Sequence, residues 1–206
     1  MLRCILFDFD GSLADSLPIF HDTANKTSKK LGYKGISDAP GLRDKSIYRV
    51  MRDDLEIPIF GLLGYIRTFK QFLAKDIESA KLVRGLRGVL KELRATLIIG
   101  VLTSNSEEAV QHFIKRENIE HLIDFVVADV APFRKHRSIC KVLDKYGFDK
   151  DEVIYVGDEL RDVVSCKKCG VRIAAVTWGF NSKKALGELK PDFIVDQPKD
   201  LLKLLN

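Results

Sequence analysis

The sequence predicts an α/β protein in which a parallel sheet is covered by helices on both faces. Three observations carry that prediction. Short apolar runs, most of them rich in Ile and Val, recur at Cys4–Phe7, Leu97–Leu102, Phe125–Ala128, Val153–Val156, Ile173–Val176 and Phe193–Val195. Between the later runs lie segments of helical period, with Ala109, Phe113 and Ile114 in one and Ile139, Val142, Leu143 and Tyr146 in another. The runs are nearly continuous in apolar residues rather than alternating, as strands buried on both faces should be. Strands alternating with helices make the sheet parallel and the architecture three-layered.

Taken in order, Ile5 to Phe7 form the first buried strand, and Gly11 lets the chain turn away from its end. From about Leu17 to Ser79 the rhythm breaks. Phe20, Ala24, Thr27 and Leu31 share a helical face, no convincing strand occurs, and Pro40-Gly41, Pro58 and Gly61 divide the stretch into several helices. This predicts a helical insertion, residues 16–80, in a core made of residues 1–15 and 81–206. Gly85 and the helix after it, Leu86 to Arg94, mark the return to the core. Lys199 to Leu205 reads as a closing amphipathic helix.

Length and composition set the outer limits. A chain of 206 residues with 46% hydrophobic and 31% charged residues is of ordinary globular type. No apolar run approaches the roughly 18 to 20 residues that span a bilayer, and Met1-Leu2-Arg3-Cys4 leads straight into the first strand without a signal peptide. The net charge of +5 comes from scattered lysines and arginines, with no aromatic-interleaved basic groove, so nucleic acid is not the expected partner. A monomer is expected. Of the four cysteines, Cys166 and Cys169 match C-x-x-C but lie inside a helical stretch, and they are expected to serve as small buried residues in a reducing cytoplasm.

The chemistry gathers at strand ends, where open α/β sheets bind ligands. Asp8 and Asp10, spaced i and i+2, are like charges that repel unless a cation or proton intervenes. A divalent metal and a carboxylate nucleophile with a neighbouring acid/base fit that pair. A turn in which Asp10 or Ser12 caps a helix is the plainer alternative. The run ending at Leu102 leads into Thr103, Ser104 and Asn105, whose hydroxyls and amides suit a phosphate oxyanion, whereas Ser104 or Ser106 could instead be simple caps. Gly157 is followed by Asp158 and Asp162, one helical turn apart, and with Asp8 and Asp10 they make a hard-oxygen cluster suited to Mg²⁺. Lys135 is placed to neutralise a nucleophile and a phosphate together, with Arg134 and Arg137 as competitors and a surface charge as the alternative.

Together these stretches resemble the haloacid dehalogenase-like superfamily, in particular its phosphatases similar to phosphoglycolate phosphatase. Asp8-Phe9-Asp10-Gly11-Ser12 matches the first motif, Thr103 the second, Lys135 the third and Gly157 to Asp162 the fourth. Lys135 is followed by His136 where the family often has Pro. Val176 to Phe180 resembles a turn common in these enzymes. The resemblance implies a Rossmann-like core with a small C1-type helical cap, a small phosphorylated metabolite as substrate, and Mg²⁺ held by Asp8, the Asp10 carbonyl, Asp158 and Asp162. It implies Asp8 as nucleophile, Asp10 as acid and base, and Thr103, Ser104, Asn105 and Lys135 around the phosphate. A phosphosugar mutase on the same scaffold and a non-catalytic regulatory protein are the competing expectations. Arg43, Lys45 and Arg49 are candidates for an anionic substrate tail, against a solvated basic face. His21 is expected to be a packing or surface residue.

Overall fold

A run of four apolar residues ending in Asp becomes β1 (Cys4–Asp8), buried along its whole length. The structure is a computed structural model and describes residues 1–36, 41–76, 79–128 and 134–205. After β1 come β2 (Ala14–Asp15), α1 (Leu17–Leu31), the short α2 (Ile47–Arg49), α3 (Leu62–Asp76) and β3 (Lys81–Leu82). The chain continues through α4 (Leu86–Arg94), β4 (Ile98–Leu102), α5 (Glu107–Arg116), β5 (Phe125–Val127) and α6 (Lys135–Tyr146). It closes with β6 (Val153–Gly157), α7 (Leu160–Cys169), β7 (Arg172–Val176), α8 (Lys183–Glu188), β8 (Phe193–Val195) and a 3₁₀ segment, Pro198–Leu205.

Six strands form one sheet in the order β5-β4-β1-β6-β7-β8, and every pairing is parallel. The chain therefore builds outward from β1 in both directions, so its carboxyl end lies where the strand order reverses and a crevice opens. Pleat alternation divides the core. Ile5 and Phe7 face one layer with Leu86, Leu90, Val110 and Phe113, while Cys4 and Leu6 face the other with Ile139, Val142, Val163 and Leu186. Gly100 in β4 lies beneath the Phe125 ring, and a Cβ there would come within 2.5 Å of ring carbon Cε2.

Between β2 and β3, which pair as an antiparallel two-residue ribbon, the elements among the described residues are all helical. That ribbon is absent from the sequence reading because two residues carry no periodicity. α1 and α3 pack together, with the Tyr65 hydroxyl donating to the Ala24 carbonyl (3.1 Å). Leu55, Ile57 and Tyr65 make a small core of their own. Gly41 adopts a positive φ just before a short 3₁₀ turn, while Pro40 lies outside the described residues. The closing segment is 3₁₀ rather than the regular amphipathic helix expected, with Leu201 buried.

The cysteine expectation is corrected. Cys169 is not a small buried residue beside Cys166. It is bonded to Cys140, 29 residues earlier, and thereby joins α6 to α7. Cys4 and Cys166 are the free, buried thiols. Two cysteines on adjacent packed helices met because the fold brought α6 against α7, which C-x-x-C spacing could not reveal. The inference of a reducing compartment loses that support. No helix among the described residues is long and apolar enough to cross a membrane.

A crosslink over that loop constrains the unfolded chain by roughly 3 to 4 kcal/mol in the chain-entropy account. Reduction is expected to lower the melting temperature by about 6–16 °C for a chain of this size. Thiol titration in denaturant should find two thiols before reduction and four after it. Four thiols before reduction, with no change in melting, would contradict the crosslink.

Candidate active site

β1 ends at Asp8, which is 4% exposed and accepts from the Phe9 amide (2.8 Å). The turn that follows needs Gly11, whose φ is +71° and whose missing Cβ leaves room for Asp158: a Cβ there would lie 2.7 Å from Asp158 Cγ. Gly179 does the same from the other side, since a Cβ on it would collide with the Asp158 side chain. Asp158 is fixed by the Ser12 hydroxyl donating to Oδ1 (2.9 Å) and the Phe180 amide donating to Oδ2 (2.6 Å). Asp162, in the first turn of α7, accepts from the Glu159 amide (3.0 Å). Gly157 makes room for it, a Cβ there lying 2.6 Å from Asp162 Oδ2.

Asp8, Asp158 and Asp162 thus converge, each offering a carboxylate oxygen within 4.8 Å of the others, all buried. Lys135, at the start of α6, reaches between two of them. Its Nζ donates to Asp8 Oδ2 and to Asp162 Oδ1, both at 2.5 Å, and lies 5.3 Å from the Tyr155 ring centroid. Burial pulls the ammonium down, but Asp162 and Asp8 outweigh it and hold its pKa above the ordinary lysine value. Burial raises Asp158 well above the usual carboxylate range, with the Glu159, Asp8 and Asp162 charges adding to it.

Asp10 stands apart from this cluster and faces a cavity of ≈ 120 Å³. Its Oδ2 accepts from Asn105 Nδ2 (2.8 Å), while its Oδ1 is buried without a protein partner. Burial, and then the Asp8 charge, raises its pKa to about 7; burial raises Asp8 to about 6. Two neighbouring carboxylates in unlike settings, Asp8 bound among charges and Asp10 raised by burial with one oxygen unpartnered, can take unlike roles toward a proton.

At the end of β4, Thr103 is fully buried and its Oγ1 accepts from the Asn105 amide (3.1 Å), while Ser104 and Asn105 line the cavity. Ser106, not Ser104, caps α5 by accepting from the Ala109 amide. Ser12 and Asp10 cap no helix; they contact Asp158 and Asn105. Of the three neighbouring cations only Lys135 reaches the carboxylates: Arg134 precedes α6 and Arg137 forms no contact in the site. Arg43 does not meet an open anion site, because its guanidinium donates to the carbonyls of Thr177 (2.8 Å), Gly179 (2.9 Å) and Phe180 (3.3 Å). Lys45 is ion-paired with Asp54 (2.7 Å), and Arg49 is not in the cavity wall. His21 does line the cavity.

Several residues escaped the sequence reading. Ser12 was read only as a possible cap, and Asn181 was not singled out. Asn181 accepts from the Leu160 amide (2.9 Å) and donates to the Arg43 and Lys45 carbonyls (2.9 and 2.8 Å), tying the start of α7 to the helical segment. Trp178 Nε1 donates to the Ser12 carbonyl (3.2 Å), which locks the β7 turn onto the β1 turn.

A three-layer parallel sheet with paired acids at the end of its first strand, and a lysine and further acids at later strand ends, defines a class of hydrolase. Residues 5–176 match the family described as haloacid dehalogenase-like hydrolase, and the chain belongs to that family. A Synechococcus elongatus protein named phosphoglycolate phosphatase is 32% identical over 204 residues, covering 98% of this chain and 96% of its own. A Bacillus cereus protein named pyrophosphatase PpaX is 29% identical over 220 residues, covering 100% and 97%. Among solved structures, a haloacid dehalogenase-like family hydrolase from Streptococcus pneumoniae shares the fold with a TM-score of 0.79 at 23% identity, covering 100% and 99%. A β-phosphoglucomutase candidate from Thermotoga maritima shares it with a TM-score of 0.67 at 20% identity, covering 99% and 98%.

With no metal bound, the raised carboxylates make a stability prediction. Burial lifts Asp8 to about 6 and Asp10 to about 7 in the folded chain, above the ordinary aspartate value of 3.8, so between about pH 4 and 7 the native state holds more protons than the unfolded chain. Stability therefore falls as pH rises through that window. Melting in chelator should drop from about pH 5 to about pH 7.5, and Asp10→Asn should flatten part of the drop. A melting temperature that rises across the window would contradict the burial of these charges.

Proposed function

We propose that this protein is a Mg²⁺-dependent phosphatase of small phosphomonoesters that works through an aspartyl-phosphate on Asp8. The observation that carries the reading is the division of labour between two carboxylates on one turn: Asp8 bound by Lys135, and Asp10 held by Asn105 with one oxygen free. In this scheme an Asp8 oxygen attacks phosphorus, the ester bond breaks, and Asp10 gives its proton to the departing alcohol. Asp10 then takes a proton from the water that releases phosphate and restores Asp8. Thr103, Ser104, Asn105 and Lys135 hold the phosphoryl oxygens, so the barrier falls chiefly through positioning and charge stabilisation.

Three converging buried carboxylates, two of them bonded to one lysine, fit a hard divalent cation, since their mutual repulsion is a standing cost that such an ion removes. Asp8, Asp158 and the Asp10 carbonyl would hold it, with Asp162 as a direct or indirect support. When bound, Mg²⁺ supplies charge that draws the phosphate to Asp8 and offsets repulsion between the two anions. The helical segment, residues 16–80, acts in this reading as a cap domain on a core of residues 1–15 and 81–206. The relatives' names support a small phosphorylated metabolite, with phosphoglycolate the first compound to try, and a monomer is the simplest assembly for it. A phosphosugar mutase remains the second reading, favoured by the structural likeness to the Thermotoga maritima protein and by the retained Asp10.

The test is phosphate release from a panel of phosphomonoesters with and without Mg²⁺. Turnover should require the metal, disappear in Asp8→Asn and fall at least about a hundredfold in Asp10→Asn. Mg²⁺ at a hundredfold excess over its dissociation constant should stabilise the wild type by about 2.7 kcal/mol, and Asp158→Asn should lose most of that shift. Undiminished turnover in Asp8→Asn would overturn the mechanism, and conversion between sugar phosphates without net phosphate release would favour the mutase.

A further inference from the structure

The cavity that opens on Asp10 has two unlike halves. Its core side presents Asp10, Ser104 and Asn105, the groups assigned above to the reacting phosphate. Its other side, supplied by the helical segment, is apolar: Phe20, Ile47, Met51, Leu55, Ile66 and Phe69. Five of these six are only partly buried, Leu55 being the exception at 2% exposure. Large apolar side chains left wet in a concave wall cost roughly 25 cal/mol per Å² until something apolar covers them.

Some polar groups in and around the same wall are already paired. The Tyr65 hydroxyl donates to the Ala24 carbonyl. Arg161 is ion-paired with Glu159 at 2.5 Å through one terminal nitrogen, so the pair adds no net charge to the floor, while its Nε is buried without a partner. Arg43 is spent on backbone carbonyls and Lys45 on Asp54, and neither lines the cavity. The remaining cationic candidates in the wall are Lys70, an exposed residue, and His21. A two-carbon leaving group bearing a carboxylate could reach one of these cations but is too short to cover the apolar wall.

We propose that this wall is a leaving-group subsite for an apolar alcohol. The substrate class is then a monophosphate ester of an aliphatic or aromatic alcohol of about six carbons or more, rather than of a two-carbon hydroxy acid. The proposal rests on the phosphatase reading above and leaves its chemistry unchanged: the P–O ester bond breaks, the alcohol leaves with the Asp10 proton, and water supplies the atoms that complete phosphate and reprotonate Asp10. What it adds is the source of selectivity. Each methylene that moves from water onto the wall should raise kcat/KM by about two- to fourfold.

The experiment compares ethyl, butyl, hexyl and phenyl phosphate with phosphoglycolate, using Mg²⁺-loaded enzyme. Ethyl phosphate and phosphoglycolate have the same carbon count, so their ratio reads recognition of the carboxylate alone. Rates should climb from ethyl to hexyl, hexyl phosphate should exceed phosphoglycolate by at least about tenfold, and Ile66→Ser should reduce the hexyl-to-ethyl ratio. A flat alkyl series with phosphoglycolate well above ethyl phosphate would overturn the proposal and leave the phosphatase reading intact. Thermal shifts with hexylphosphonate and ethylphosphonate separate the opposite failure. Chain-length-dependent binding without turnover of any ester would uphold the subsite and overturn the phosphatase reading; no chain-length dependence in either assay would overturn the subsite.

Discussion

The ammonium of Lys135, buried between Asp8 and Asp162, is the interaction on which the rest of the site depends. Asp8 at the end of β1, Asp158 after β6 and Asp162 in α7 are held out of water together, and Lys135 bonds the first and the last of them. Removing one partner from such a buried pair typically costs about 3–5 kcal/mol, because the remaining charge is stranded. The fold meets that cost by close construction. Glycines at 11, 157 and 179 yield the space that the acids occupy, and the Ser12 hydroxyl and the Phe180 amide bind the lone pairs of Asp158. The disulfide between α6 and α7 joins the helices that carry Lys135 and Asp162.

Much of this was legible because the acids lie in short motifs at strand ends. Asp8, Asp10, Asp158 and Asp162 each follow an apolar run by one or a few residues, and strand ends in a parallel sheet converge by geometry. Lys135 was legible only as one of three adjacent cations, since a residue's place on a helix start decides which of them points inward, and only burial shows that. The strands matched to within a residue or two for the same reason that the motifs did: an apolar run ending in Gly or Asp is a local signal.

The remainder was carried by contacts between residues far apart in sequence. Asn105 grips Asp10 across 95 positions, Ser12 grips Asp158 across 146, and Asn181 reaches the carbonyls of Arg43 and Lys45 across 138 and 136. No window of sequence contains both members of such a pair. The disulfide was missed for this reason, because the C-x-x-C pattern drew attention to Cys166 while the bonded partner of Cys169 lay on another helix. Arg43 has the same lesson: neither a substrate-tail contact nor a solvated basic face, its guanidinium is held by the carbonyls of the β7 turn far along the chain. The apolar character of the cavity wall also belongs to tertiary structure, since Phe20, Met51 and Ile66 read in sequence as ordinary helix residues.

The central claim is that Asp8, and not Asp10, becomes covalently phosphorylated. Borohydride reduction during turnover of any phosphomonoester the enzyme hydrolyses tests it most directly, because an acyl phosphate is reduced to the alcohol whereas a free carboxylate is not. Mass spectrometry of the N-terminal peptide should then find homoserine at position 8 in the wild type, dependent on substrate and Mg²⁺, with Asp10 intact. Reduction at position 10, or brisk phosphate release with position 8 never modified, would contradict the account.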